Sequence, residues 1–330
     1  MKPTILVLLP FEEEGKKRLE AALDGADVIY SDDASYTDEM LDRASAIIGN
    51  PAPERLVGRD NIKWVQVSWA GVDRYIKFKD FPRQITLTNV TGAFGHAISE
   101  HMVACVFSLF KKLHLYRDNQ NRSLWLDRGS VRSVYGSVVL VLGLGDIGGN
   151  FAARMKALGC RVIGVTRTAR EKPDTVDEIY TSDALDELLP KADVVGMALP
   201  STAETVRIMD EKRLFSMKKG AILINVGRGS AIDQTALLKA VDSGHLGGAA
   251  LDVTETEPLP ENDPLWKAEN VIITPHVSGF FHLRQTYDNI IDICVENAGR
   301  FVRGEKLENV IDMTLGYAGR DTRKETHFPG

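Results

Sequence analysis

At 330 residues the chain exceeds what one ordinary hydrophobic core organises, and its length points to about two domains. With 44% apolar and 26% charged residues, the composition excludes a disordered or fibrous chain. A formal net charge of -6 argues against nucleic acid as a partner, since that role needs a basic face, and leaves room only for a local basic pocket.

The opening run MKPTILVLLP is too short to span a membrane, and no small-residue cleavage site follows it, so neither export nor a membrane partner is expected. Cys105, Cys160 and Cys294 stand far apart in apolar segments and read as small buried hydrophobes in a reducing, cytoplasmic setting. Their spacing matches neither a disulfide framework nor a metal site.

In chain order, Thr4 to Leu9 is a fully apolar strand, followed by a charged helical stretch from Glu12 to Leu23. Ala46 to Gly49 and Ile62 to Val67 are further short strands. Strands that lack clean alternation and are separated by helices imply a parallel sheet covered on both faces. Residues 97 to 115 read as one long apolar helix, able to join two domains and to offer an association surface.

Ser137 to Leu142 is a buried strand, Gly143-Leu144-Gly145-Asp146-Ile147-Gly148 turns the chain, and Gly149 to Leu158 forms a helix before the strand Arg161 to Val165. Parallel strands continue at Val194 to Met197, Ala221 to Ile224, Gly248 to Leu251 and Val271 to Ile273, with a helix from Asp233 to Ser243. An amphipathic segment from about Leu283 to Phe301 returns the chain toward the first domain. From Gly316 onward a loosely held tail is expected.

A lone GxGxxG is weak evidence, but strand, glycine turn, helix and strand in this order is what a dinucleotide fold requires. Gly143 permits the tight turn, Gly145 admits the pyrophosphate to the backbone, and Gly148 lets the helix pack closely. Asp146 and Ile147 in the turn join the cofactor contacts, and the helix amides after it offer hydrogen bonds and positive potential to the phosphates. NAD-binding folds place a carboxylate at the end of the second strand for the adenosine ribose. Here Thr166 occupies that place, 18 residues past Gly148, with Arg167 and Arg170 close behind. A hydroxyl and two guanidinium groups suit a 2′-phosphate, so NADP(H) is the expected cofactor, with NAD(H) at lower preference.

Three polar residues follow later strands: Arg228 in Asn225-Val226-Gly227-Arg228-Gly229, Glu257 in the segment after Asp252, and His276 in Thr274-Pro275-His276. Each alone is ordinary, and together they suit reduction of a 2-oxo acid. Arg228 orients the substrate carboxylate and carbonyl, and His276 gives a proton to the oxygen. Glu257 fixes the imidazole tautomer and favours its protonated form, while Asp252 is placed to hold the nicotinamide carboxamide.

With these residues in view, the chain resembles the D-isomer-specific 2-hydroxyacid dehydrogenase family. The matches run from Val67-Ser68-Trp69-Ala70-Gly71-Val72-Asp73 through Leu199-Pro200-Ser201-Thr202 and the Arg228 segment to Glu257-Pro258-Leu259-Pro260 and Pro275-His276. The resemblance implies an α/β fold of two doubly wound Rossmann-like domains with the active site in the cleft between them. Residues 1–98 would begin the substrate-binding domain, 99–284 form the dinucleotide-binding domain, and 285–330 complete the first. It implies catalytic roles for Arg228, Glu257 and His276, and backbone amides of Trp69, Ala70 and Gly71 on the substrate carboxylate. Pro200 and Val226 join the cofactor contacts, Arg228 and His276 serve both ligands, and a homodimer forms mainly through the cofactor-binding domain. Thr166 departs from the family's common NAD-type acid.

The expected activity is reversible reduction of a small 2-oxo acid to the D-2-hydroxy acid. The alternative is a cofactor-sensing or corepressor-like protein with little catalysis, against which the retained Arg228, Glu257 and His276 weigh. Glu257 also disfavours formate oxidation, since the family's formate enzymes carry an amide there. Phosphite or a phosphorylated acid stays open as substrate. Trp69, Phe94, Phe280 and Phe281 are either an apolar pocket wall or core and interface aromatics, so the substrate side chain stays open as well.

Overall fold

The computed structural model describes residues 2–319, and they form two compact α/β units. Among the described residues, one unit takes 2–93 together with 281–319, and the other runs from Phe94 to Phe280.

In the first unit, β1 (Thr4–Val7), α1 (Glu13–Ala22), β2 (Asp27–Tyr30), α2 (Asp38–Arg43), β3 (Ala46–Ile48), β4 (Trp64–Gln66), α3 (Asp73–Lys77) and β5 (Thr86–Thr88) follow one another. The sheet order is β2-β1-β3-β4-β5 and every pairing is parallel. β3 and β4 are buried along their whole length, which is why they read as strands without alternation, with Gln66 the one polar residue.

The second unit opens with α4 (Gly95–Phe110) and α5 (Leu113–Asn121). One continuous helix through residue 115 was the expectation, and the chain breaks instead at Lys112. Its φ of 57° is left-handed, and its ammonium donates to the Arg128 carbonyl. The buried side of α4, with Ile98, Met102, Cys105, Val106 and Leu109, is packed within its own unit. A Cβ at Gly196 would fall 2.6 Å from Phe151 and 3.1 Å from Met102, so this glycine lets α4 and the helix that carries Phe151 reach the sheet.

That sheet is built from β6 (Val138–Leu142), α6 (Asp146–Ala157), β7 (Arg161–Thr166), β8 (Glu178–Thr181), α7 (Leu185–Leu188), β9 (Val194–Met197), α8 (Glu211–Ser216), β10 (Ile222–Asn225), α9 (Gln234–Asp242), β11 (Gly248–Leu251) and β12 (Val271–Ile273). Its order is β12-β11-β10-β9-β6-β7-β8, parallel throughout. The order reverses between β6 and β9, and open α/β sheets bind ligands at the carboxyl ends beside such a switch. α6 begins at Asp146, inside the glycine motif and earlier than the Gly149 start read from the pattern.

The chain then returns to the first unit as α10 (Arg284–Arg303), followed by the short antiparallel pair β13 (Ile311–Asp312) and β14 (Tyr317–Ala318). α10 ends on Gly304 at φ 69°, with Arg300 and Arg303 in its last turn, a common helix stop. Trp64 stacks on Phe301 at 5.1 Å, and Asn297 donates to the buried Gln66 at 2.8 Å, which fixes the helix against β4. The loose tail expected from Gly316 is corrected for its first residues, since β14 pairs with β13. Residues 320–330 lie outside the described residues.

Candidate active site

The glycine turn follows β6 at the switch point. Gly143 has φ 91°, and a Cβ there would lie 2.7 Å from the Ala198 carbonyl oxygen, so only glycine suits both the backbone and the approach. At Gly148 a Cβ would fall 1.8 Å from the Gly143 carbonyl oxygen, which seals the start of α6 against the turn. Gly145 is the opposite case: it is exposed, and a Cβ there would meet nothing within 4 Å. It caps α6 with no side-chain hydrogen bond. An open approach to the first-turn amides of a twelve-residue helix fits a dinucleotide pyrophosphate. The Asp146 carboxylate accepts from Asn150 at 3.3 Å and faces Gly95 of α4, which leaves the Asp146 backbone as its part in that cradle.

At the end of β7 the Thr166 hydroxyl donates to the Thr168 carbonyl at 3.0 Å. Arg170 folds back onto the glycine turn and donates to the Leu144 carbonyl at 3.0 Å. The Arg167 guanidinium stands 3.8 Å from Glu204, and both side chains are well exposed. Thr166 and Arg170 thus stand beside the glycine turn. Glu204, which sequence reasoning did not single out, is within ion-pair distance of Arg167.

Arg228 is placed by backbone packing on both sides. A Cβ at Gly227 would lie 2.5 Å from the Leu199 carbonyl, and one at Gly229 would lie 1.9 Å from the Thr254 carbonyl. Asn225 clamps the turn between them: its Nδ2 donates to the Arg228 carbonyl at 2.9 Å and its Oδ1 accepts from the Gly227 amide at 3.0 Å. Asn225 was missed, although a buried asparagine ending an apolar strand before a Gly-Arg-Gly turn was a usable signal. Val226 is buried at the end of β10, whereas Pro200 is exposed and its carbonyl accepts from Thr205 at 2.7 Å.

Glu257 and His276 meet. The imidazole Nδ1 and the Glu257 carboxylate are 2.8 Å apart, and the other carboxylate oxygen accepts from the Thr254 amide at 3.1 Å. This fixes the carboxylate, and a proton on Nδ1 leaves Nε2 as the nitrogen that can exchange one with a ligand. The His276 side chain is half exposed. Burial, with the Asp252 charge adding to it, pushes the Cys105 thiol up to about 11, which removes it as a nucleophile.

In the first unit, Trp69, Ala70 and Gly71 follow β4 at the carboxyl edge of the sheet. Asn50 braces this loop by accepting from the Ser68 amide at 3.1 Å and donating to the Ser68 hydroxyl at 2.8 Å, and Asn89 donates to the Ala70 carbonyl at 2.6 Å. Trp69 lies 5.3 Å from Phe281 in the same unit. Of the four aromatics weighed for a pocket wall, Phe94 is buried in the second unit against Gly279.

A parallel sheet whose switch point carries an open glycine turn and a helix start makes the second unit a Rossmann-type dinucleotide-binding domain. Residues 103–278 match the model for the D-isomer specific 2-hydroxyacid dehydrogenase NAD binding domain. A glyoxylate reductase from Korarchaeum cryptofilum is 28% identical over 92% of this chain and 94% of its own. A D-isomer specific 2-hydroxyacid dehydrogenase family protein from Aeromonas salmonicida is 36% identical, with a TM-score of 0.83, covering 95% of this chain and all (100%) of that one. A D-isomer specific 2-hydroxyacid dehydrogenase from Xanthobacter autotrophicus, solved with NADPH and MES, is 28% identical, with a TM-score of 0.81 over 96% of this chain and 100% of its own. The chain belongs to the D-isomer-specific 2-hydroxyacid dehydrogenase family.

Proposed function

We propose that this enzyme reduces a small 2-oxo acid to the D-2-hydroxy acid, reversibly, and prefers NADPH to NADH. The observation that carries the reading is the 2.8 Å contact between His276 and Glu257 in the same unit as the Arg228 turn and the dinucleotide cradle.

The bound nicotinamide dinucleotide supplies the hydride, and the residues of the chain do the rest. Arg228 binds the substrate carboxylate as a fork of donors and sets the carbonyl in a reactive orientation. His276 delivers a proton from Nε2 to the carbonyl oxygen, and Glu257 holds the ring through Nδ1 while it does so. In the reverse direction neutral His276 takes the proton. The Trp69-Ala70-Gly71 loop adds backbone donors to the carboxylate, which makes the first unit the substrate-binding one.

Support for NADPH comes from Thr166 in place of an acid, from Arg167 and Arg170 beside it, and from the NADPH-bound Xanthobacter relative. The active form is a homodimer, and its three free, buried thiols suit the reducing cytoplasm. The catalytic set disfavours the cofactor-sensing alternative.

A screen of glyoxylate, hydroxypyruvate, branched 2-oxo acids and phenylpyruvate with NADPH and with NADH, followed by chiral analysis of the product, tests the reading. The expected result is a D product and a higher kcat/KM with NADPH. Arg167→Ala should remove about 1.5–3 kcal/mol of that preference, the worth of a hydrogen bond to a charged group. An L product, no turnover of any 2-oxo acid, or an NADH preference would count against it.

A further inference from the structure

His276 adopts φ 54°, the left-handed region that a side chain with a Cβ enters at a cost of about 1–2 kcal/mol. The neighbouring bonds that hold it there converge on Asp252, which is 2% exposed. Its Oδ1 accepts from the Thr274 hydroxyl at 2.6 Å and from the Val277 amide at 3.0 Å. Its Oδ2 accepts from the Ser278 hydroxyl at 2.5 Å and from the Ser278 amide at 3.2 Å. Its backbone carbonyl accepts from the His276 amide at 2.9 Å. One buried carboxylate thus gathers the chain two residues before His276 and the two residues after it.

Because the Thr274 hydroxyl gives its proton to Asp252, its lone pairs face His101 Nε2 of α4 at 3.4 Å. Threonine at 274 is therefore held between a carboxylate and an imidazole, an arrangement that wrapping an edge strand does not require.

We infer that Thr274 and Ser278 are positioning residues of the reaction, acting through Asp252 to hold His276 in its left-handed conformation and so keep the imidazole on Glu257. The inference rests on the proposed role of His276. It gives Asp252 a task besides the nicotinamide contact expected of it, and the two tasks have different kinetic consequences. A lost cofactor contact weakens NADPH binding, whereas a displaced proton donor lowers kcat with binding intact.

The experiment measures kcat, KM and NADPH affinity for Thr274→Val, Ser278→Ala, Thr274→Ser and His276→Asn, using full-length enzyme and a 2-oxo acid it reduces. Thr274→Val and Ser278→Ala should each lower kcat by about tenfold to a hundredfold, the scale of an ångström of misplacement, with NADPH affinity unchanged. Thr274→Ser keeps the hydroxyl and should restore turnover, which separates loss of the hydrogen bond from general damage and stands even where the valine variant folds poorly. Wild-type kcat in both Thr274→Val and Ser278→Ala, loss confined to NADPH affinity, or a serine variant as slow as the valine one overturns the inference. The His276→Asn arm separates the two levels. Its near-complete loss of turnover beside unaffected Thr274→Val defeats only the positioning role, and unchanged turnover in His276→Asn defeats the reaction assignment itself.

Discussion

The glycines of the nucleotide turn show how differently one residue type is used at neighbouring positions. Gly148 is required by the fold, since any Cβ there collides with the Gly143 carbonyl 1.8 Å away. Gly145 has open space where its Cβ would be and an ordinary φ of -75°. Gly148→Ala should therefore cost about 1–3 kcal/mol of stability, as overpacking does, and weaken dinucleotide binding along with it. Gly145→Ala should leave the melting temperature unchanged and still weaken binding, because the methyl group occupies the pyrophosphate approach. Thermal melts and cofactor titrations of the two variants check this, and equal melting losses would refute the division of roles. The motif spacing made all three glycines legible. It also gave close packing to Gly148 and an open approach to Gly145, but not the atom that Gly148 would meet, because the Gly143 carbonyl is placed there by how α6 folds back on the turn.

Among the elements, three of the strands that escaped sequence reading share a physical reason. β2, β5 and β8 each lie at an edge of their sheet, and β2 and β8 have no buried residue. An edge strand has one neighbour and need not be a continuous apolar run, so its sequence blends with loop. The inner strands β3, β6, β9 and β11 are apolar along their length, and β1, β4 and β10 are apolar but for one terminal residue, Thr4, Gln66 and Asn225, and they were legible for that reason.

The start of β9 carries a second element-scale feature. Asp193 accepts from Arg132 at 2.8 Å, from Lys218 at 2.8 Å and from the Val138 amide at 3.0 Å, tying the segment before β6 and the turn before β10 to one buried carboxylate. Burial pushes that carboxyl upward, and Lys218, the Val138 amide and Arg132 outweigh it, so its pKa lies below the ordinary carboxylate value. A lowered folded-state value means stabilisation that is complete above the unfolded value of about 3.9 and is lost as the pH falls through the folded one. Asp193→Asn should cost about 1.5–3 kcal/mol near neutral pH, the worth of hydrogen bonds to a charged group. The gap in melting temperature between variant and wild type should narrow as the solution is acidified. A gap independent of pH would show that the charge is not what stabilises.

At the scale of the whole molecule, the segment from Leu113 to Tyr135 is the part of the second unit with most apolar surface left open. Trp125 is fully exposed, Tyr135 is 79% exposed, and Leu113, Leu124, Leu126 and Val131 are each about half exposed. Apolar side chains this concentrated make the segment a candidate interaction surface, and the proposed homodimer would place it against a second copy. Sedimentation should give twice the 36.4 kDa chain mass. Trp125→Asp with Tyr135→Asp should shift the equilibrium to monomer, by more than about 2 kcal/mol if Trp125 is an anchor of the interface. A wild-type chain that sediments as a monomer would remove the dimer from the reading. No described helix is long and apolar enough to cross a membrane.

The sequence by itself determined what is local or periodic: the buried strands, the glycine turn, the missing acid at Thr166, and the order in which Arg228, Glu257 and His276 leave their strands. These are short-range consequences of side-chain size, charge and backbone freedom. Tertiary structure decided what depends on distant groups meeting. The Gln66 contact that seats α10 spans 231 residues, and the Asp252 bonds that shape the His276 backbone span about 25. No local pattern records such a meeting, because the partner of a buried polar group is chosen by the path of the whole chain.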